Sequence, residues 1–156
     1  MEGLYGPIIF GRRGGAIHTF YEIKRKYTGR YGEHMVHLRK PLLEWAGNGL
    51  LKIDMDIKLN AAWCGDPLPI MAEWHLFHEN GWWSPLVIGG KPMGPGLSLF
   101  VIDELEETHT HWLKGGKLLS VTLAISFTEY IPFAEGLLQQ FGLPAGVGNF
   151  FGSGAI

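Results

Sequence analysis

Leu51-Lys52-Ile53-Asp54-Met55-Asp56-Ile57-Lys58-Leu59 is the stretch that decides the fold class. Ile53, Met55, Ile57 and Leu59 alternate with Lys52, Asp54, Asp56 and Lys58. A period of two puts the first set on a core face and the second in water. The same rule governs Leu119, Val121, Leu123, Ile125 and Phe127, which alternate with Ser120, Thr122, Ala124, Ser126 and Thr128. One dry face and one wet face imply an antiparallel sheet.

Outward from these two strands the chain reads as follows. Pro7 to Phe10 forms a short strand closed by the glycine- and arginine-rich residues 11–15, and 18–26 forms a second. Residues 29–32 read as a turn. Residues 33–45 read as neither element, because their apolar spacing is mixed and Pro41 disfavours a central strand. Asp66-Pro67 marks a helix start: a carboxylate for the orphan N–H groups, then proline in the first turn. Ile70, Met71, Trp74 and Phe77 follow at helical spacing, and Asn80-Gly81 ends the helix. Pro85 to Ile88 is a short strand and 97–105 a long one. Turns fall at Gly89-Gly90 and Gly94-Pro95-Gly96, and Lys114 to Lys117 is a hairpin turn. Together these elements predict an α+β domain: a mostly antiparallel sheet, curved into a split barrel or sandwich, with one main helix.

At Pro132 the grammar changes. Residues 132–156 are glycine-rich and apolar, with Glu135 as the sole charge. They divide the chain into a domain over 1–131 and an extension over 132–156. Phe133, Leu137, Phe141, Phe150 and Phe151 can anchor that extension on a partner, or it can fold back over an open edge of its own sheet.

The chain has 156 residues, 46% apolar and 18% charged, which suits one core and excludes a disordered protein. No apolar run is long enough to span a bilayer. The start lacks the pattern of a secretion signal, and no apolar segment follows the Arg12-Arg13 pair. The single cysteine, Cys64, allows no intrachain disulfide and fits a protein made in a reducing cytoplasm, where it reads as a small buried residue. Residues 1–40 carry net +5 and residues 41–156 net −7. Opposite fields on one small chain steer like copies together or attract an acidic partner.

No constellation points to chemistry. The histidine pairs 34/37, 75/78 and 109/111 lack the convergent third ligand and thiolate that zinc favours. Asp54 and Asp56 share a strand face with Lys52 and Lys58, which reads as a solvated face rather than an acid–base pair. Asp103, Glu104, Glu106 and Glu107 cluster at a strand end, either as an exposed loop or as an acidic interface patch. Phe20, Tyr21, Tyr27 and Tyr31 interleave with Lys24, Arg25, Lys26 and Arg30, a string that suits single-stranded nucleic acid and equally a strand with an aromatic core face and a basic outer face. The overall charge lacks the basic bias such binding favours. Neither cofactor nor metal is expected.

The most specific stretch runs from Gly81 to Tyr130. It contains Trp82-Trp83-Ser84-Pro85-Leu86-Val87-Ile88-Gly89-Gly90. It then has Gly96-Leu97-Ser98-Leu99-Phe100-Val101-Ile102-Asp103-Glu104-Leu105-Glu106-Glu107-Thr108, and it closes through Gly115-Gly116 into the final strand. This order of elements resembles the tail protein U (GpU) family of P2-like contractile phages over about residues 4–130. The resemblance implies a non-enzymatic structural protein of the virion, with a tail-tube-like fold. It further implies a baseplate location, similar to the ripcord protein of R-type bacteriocins. Implied partners are copies of itself in a hexameric ring, the tail tube, the baseplate hub and LysM-type tail proteins, with no membrane and no nucleic acid. Interfaces would then involve Arg12, Arg13, the acidic cluster and the C-terminal extension. The alternatives from other classes are a tail-associated cell-wall hydrolase and a nucleic-acid-binding module.

Overall fold

A computed structural model describes residues 3–13, 16–18, 20–96 and 98–131. In chain order the elements are β1 (Gly3–Tyr5), β2 (Ile8–Arg13), β3 (Ala16–His18), β4 (Phe20–Lys26), β5 (Gly29–His34), β6 (Leu42–Asn48), β7 (Lys52–Asn60), α1 (Ala61–Cys64), α2 (Pro67–Glu79), β8 (Trp83–Ile88), β9 (Lys91–Pro92), β10 (Leu99–Trp112) and β11 (Leu118–Tyr130). Nine strands form one sheet in the order β3-β2-β1-β8-β10-β11-β7-β4, with β9 added on β8, and β5 and β6 form a separate pair. Every pairing is antiparallel. The end strands β3 and β4 are neighbours in sequence, yet the sheet stays open and is sandwich-like rather than a closed barrel.

The two alternating stretches form the spine. In β7, Ile53, Met55, Ile57 and Leu59 are buried, and each pairs with a residue of β11: Ile57 with Leu123, Met55 with Ile125, Ile53 with Phe127. Wrapping brings β1 and β2 over this core. Tyr5 meets Phe127 at 5.0 Å between ring centres, and Phe10 meets Phe20 at 5.6 Å. Helix α2 closes the core. Asp66 caps it by accepting from the Leu68 N–H at 3.2 Å, and Trp74 stacks between Tyr5 and Phe10 at 6.0 Å from each. Burying so much aromatic surface around one indole supplies a large share of the driving force for folding. The Tyr5 hydroxyl lies 3.0 Å from the Trp82 carbonyl and 3.1 Å from the Phe100 carbonyl, so the ring stays satisfied at full burial. Burial also pushes its ionisation upward.

Five expectations need correction. The first strand is not closed at Phe10 but runs on through Arg13, because Gly11, Arg12 and Arg13 pair with His18, Ile17 and Ala16 of β3. Residues 29–32 are not a turn but the start of β5, since Gly29 and Gly32 pair with Asn48 and Glu44. The strand expected over 97–105 runs from Leu99 to Trp112, because β11 supplies a partner along the whole of it. At the start of β11 the buried residues are Leu118 and Ser120, not Leu119. The pairing with β10 slips between His109 and His111 and again between His111 and Trp112, which reverses the alternation there. The stretch 18–26 is split between β3 and β4, which lie at opposite ends of the sheet path.

Candidate functional site

The residues that sequence periodicity left unassigned, 33–45, lie in a strongly exposed part of the described structure. β5 and β6 make a two-stranded arm, joined through residues 35–41, and no residue from 20 to 50 is buried. Pro41 sits in the arm's connecting loop, where it costs no ladder bond. The arm has two unlike faces. Tyr31 pairs with Trp45 and Glu33 with Leu43, so these four share one side. Gly32 pairs with Glu44 and His34 with Leu42 on the other, where the His34 ring nitrogen Nε2 lies 2.7 Å from a Glu44 carboxylate oxygen. Apart from Glu33 the first side is apolar and open: Tyr31 is 58%, Leu43 67% and Trp45 61% exposed. At the tip, Met35 is 86% and Leu38 92% exposed, next to Arg39 and Lys40. Two strands alone are marginal in water, and so large an apolar surface on a projecting ribbon marks an interaction site.

The arm's root is fixed by Glu129. Its carboxylate accepts the Leu51 N–H at 3.1 Å, while its own N–H donates to the Leu51 carbonyl at 2.9 Å. The Ser98 hydroxyl reaches the same carboxylate at 2.9 Å. An open cleft of about 520 Å³ lies beside this junction, between Tyr27 and Gly49 at the arm's root and Met93 and Pro95 of the body.

The second surface is the outer face of β8, β10 and β11. At one end Trp83 pairs with Val101, and Val101 with Thr128. Trp83 also stacks on Tyr130 at 6.3 Å, and both rings are substantially exposed. Further along β10 come the acids. They are not at the strand's end, as the sequence implied, but in its middle. A register shift between Ile102 and Glu104 makes Asp103 an extra residue, so Asp103 and Glu104 both turn outward and Glu106 follows with period two. Glu107 falls on the inner side opposite Leu123 and is held by His75 of α2 at 2.5 Å and His109 at 3.2 Å. The acidic patch therefore comprises Asp103, Glu104 and Glu106. Lys52 stands 3.9 Å from Asp103.

The other sequence candidates are scattered. Arg12 and Arg13 end β2, separated from β10 by β1 and β8 in the sheet. Asp54 and Asp56 lie on the outer face of β7. Asp54 accepts the Ser126 hydroxyl at 2.7 Å, and both carboxylates neighbour Lys24 and Glu22 of β4 through the pairing. Cys64 is buried, its thiol 3.1 Å from the Asn60 carbonyl, and burial pushes its ionisation up, so it stays a thiol. Phe20 packs on Phe10 and is no free stacking platform. Among the described residues no three of His, Cys, Asp and Glu gather as a metal site, and no helix is long and apolar enough to cross a membrane. Phe133, Leu137, Phe141, Phe150 and Phe151 lie outside the described residues. The arm is the element that sequence reasoning missed. Its signal was the pairing of Tyr31 and Glu33 with Leu43 and Trp45 around Pro41, which a ribbon wet on both faces does not turn into a clean period.

The described residues form a sheet domain carrying a largely apolar arm and an acidic, aromatic-edged outer face. The family model for Phage P2 GpU matches residues 6–131, and the chain belongs to that family. It is thus a phage tail structural protein, a component of the tail particle that meets other tail components. No curated protein sequence matches the chain closely enough to count as a relative.

Proposed function

We propose that this chain is a baseplate-region subunit of a contractile tail or tail-like particle. It forms a hexameric ring that joins the end of the tail tube to the central hub, beside LysM-type tail proteins, and it is needed for tail assembly. This role parallels the ripcord protein of R-type bacteriocins. It is non-enzymatic: its work is done by interfaces. The observation that carries the reading is the β5–β6 arm, whose Tyr31, Leu43 and Trp45 share one uncovered side. An isolated subunit gains nothing from exposing that side, whereas a neighbour in a ring buries it. Family membership supplies the tail context. The extension over 132–156 provides a second attachment, with Phe133, Leu137, Phe141, Phe150 and Phe151 as anchors. Arg12 and Arg13 contribute contacts of their own.

The test uses the Leu43→Ser with Trp45→Ser variant. Expected is a monomer of unchanged melting temperature that fails to enter tails, so that particles lack it or do not form. Normal incorporation of this variant, or wild-type protein found away from the baseplate end by labelled electron microscopy, would overturn the reading.

A further inference from the structure

The arm and the outer face of β10 are matched to each other in chemistry and in order. Along the arm, the side formed by Tyr31, Leu43 and Trp45, with Glu33 as its one charge, comes first, and the basic tip with Arg39 and Lys40 comes last. Along β10, Val101 comes first, beside the exposed Trp83 and Tyr130, and the carboxylates of Asp103, Glu104 and Glu106 come after. The spans agree. At about 3.4 Å per residue, Val101 to Glu106 covers roughly 17 Å. The arm from Tyr31 to its tip, a few strand residues and half a loop, is of the same order. Glu104 and Glu106 have no ion-pair partner among the described residues, while Lys52 already attends Asp103.

We propose that the β5–β6 arm of one copy docks on the outer face of β8, β10 and β11 of a second copy. Tyr31, Leu43 and Trp45 meet the Trp83–Tyr130 end, and Arg39 and Lys40 meet Glu104 and Glu106. The inference rests on the ring reading above and names the two surfaces that make it. The contact is heterologous: the arm of each copy uses a surface that its own acceptor face does not. Repetition of one such contact therefore closes a ring or runs on as a filament. Apolar contact supplies the holding energy. The opposite charges at the tip fix the direction in which the arm lies and disfavour its reversal.

The experiment is a cross-link between full-length proteins. Cys64 is buried and does not compete. Protein carrying Leu38→Cys is mixed with protein carrying Glu106→Cys under mild oxidation and resolved on a non-reducing gel. The expected product is a mixed dimer well above that formed when Glu73→Cys, on the exposed side of α2, replaces Glu106→Cys. Adding Arg39→Glu and Lys40→Glu to the arm partner should lower the mixed dimer about ten-fold, through like-charge repulsion. Adding Asp103→Lys and Glu104→Lys to the acceptor should then restore it. A mixed dimer no stronger than the Glu73→Cys control overturns the docking, and so does a loss that the compensating reversal leaves unrestored. Tail particles purified in parallel separate the two readings. Wild-type chain found in tails, while the Leu38→Cys and Glu106→Cys proteins give no mixed dimer above control, sinks the docking alone, and chain absent from tails sinks the functional reading.

Discussion

Leu51 and Glu129 are joined twice: the Leu51 N–H donates to the Glu129 carboxylate at 3.1 Å, and the Glu129 N–H donates to the Leu51 carbonyl at 2.9 Å. Leu51 stands where the arm re-enters the sheet, and Glu129 stands one residue before the end of β11. The pair ties the chain leaving the arm to the end of β11.

Glu129→Ala removes the acceptor of a partly buried N–H. An unsatisfied donor of this kind costs about 1–3 kcal/mol, to be read from denaturant midpoints. Glu129→Gln keeps one carbonyl oxygen and should cost less. Amide exchange at Leu51 should quicken in the alanine variant more than in the glutamine one. Equal effects of the two would mean the carboxylate is not what holds the root.

Leu123 is fully buried and pairs with Ile57, so Leu123→Ala should destabilise the isolated domain by about 2–5 kcal/mol. Thr122 sits on the outer face, opposite Lys58 and Thr108, and Thr122→Ala should change stability by within about 0.5 kcal/mol. Similar losses at both positions, measured by urea unfolding of monomer, would break the two-face account of β11.

No carboxylate or histidine is assigned a catalytic part. Asp54→Asn with Asp56→Asn, and His109→Ala with His111→Ala, should leave particle infectivity or killing near normal wherever tails assemble normally. A particle of wild-type appearance that has lost wall hydrolysis would contradict this.

The extension over 132–156 is proposed to dock on a neighbouring tail component. A stop after Ile131 should leave the monomer folded, with a melting temperature close to that of the full chain, yet block entry into tails. Early melting or aggregation of the truncated monomer would instead make the extension part of its own domain, covering an open sheet edge.

The sequence by itself determined the spine of this protein. Strict alternation at Ile53 to Leu59 and at Val121 to Phe127 marks both faces of β7 and β11, because a half-buried strand forces period two on its side chains. Asp66-Pro67 marked the start of α2, because helix ends need a capping acceptor and tolerate proline. The order of elements from Gly81 to Tyr130 carried the family. Tertiary structure alone decided the proposed interaction surface. The arm bears large apolar residues on a ribbon that no core constrains, so its sequence shows no period. The acidic cluster divided only when an extra residue at Asp103 was placed against β11, which sent Glu104 and Glu106 outward and turned Glu107 to His75. Strand register and bulges depend on partners remote in the chain, and a local pattern does not contain them.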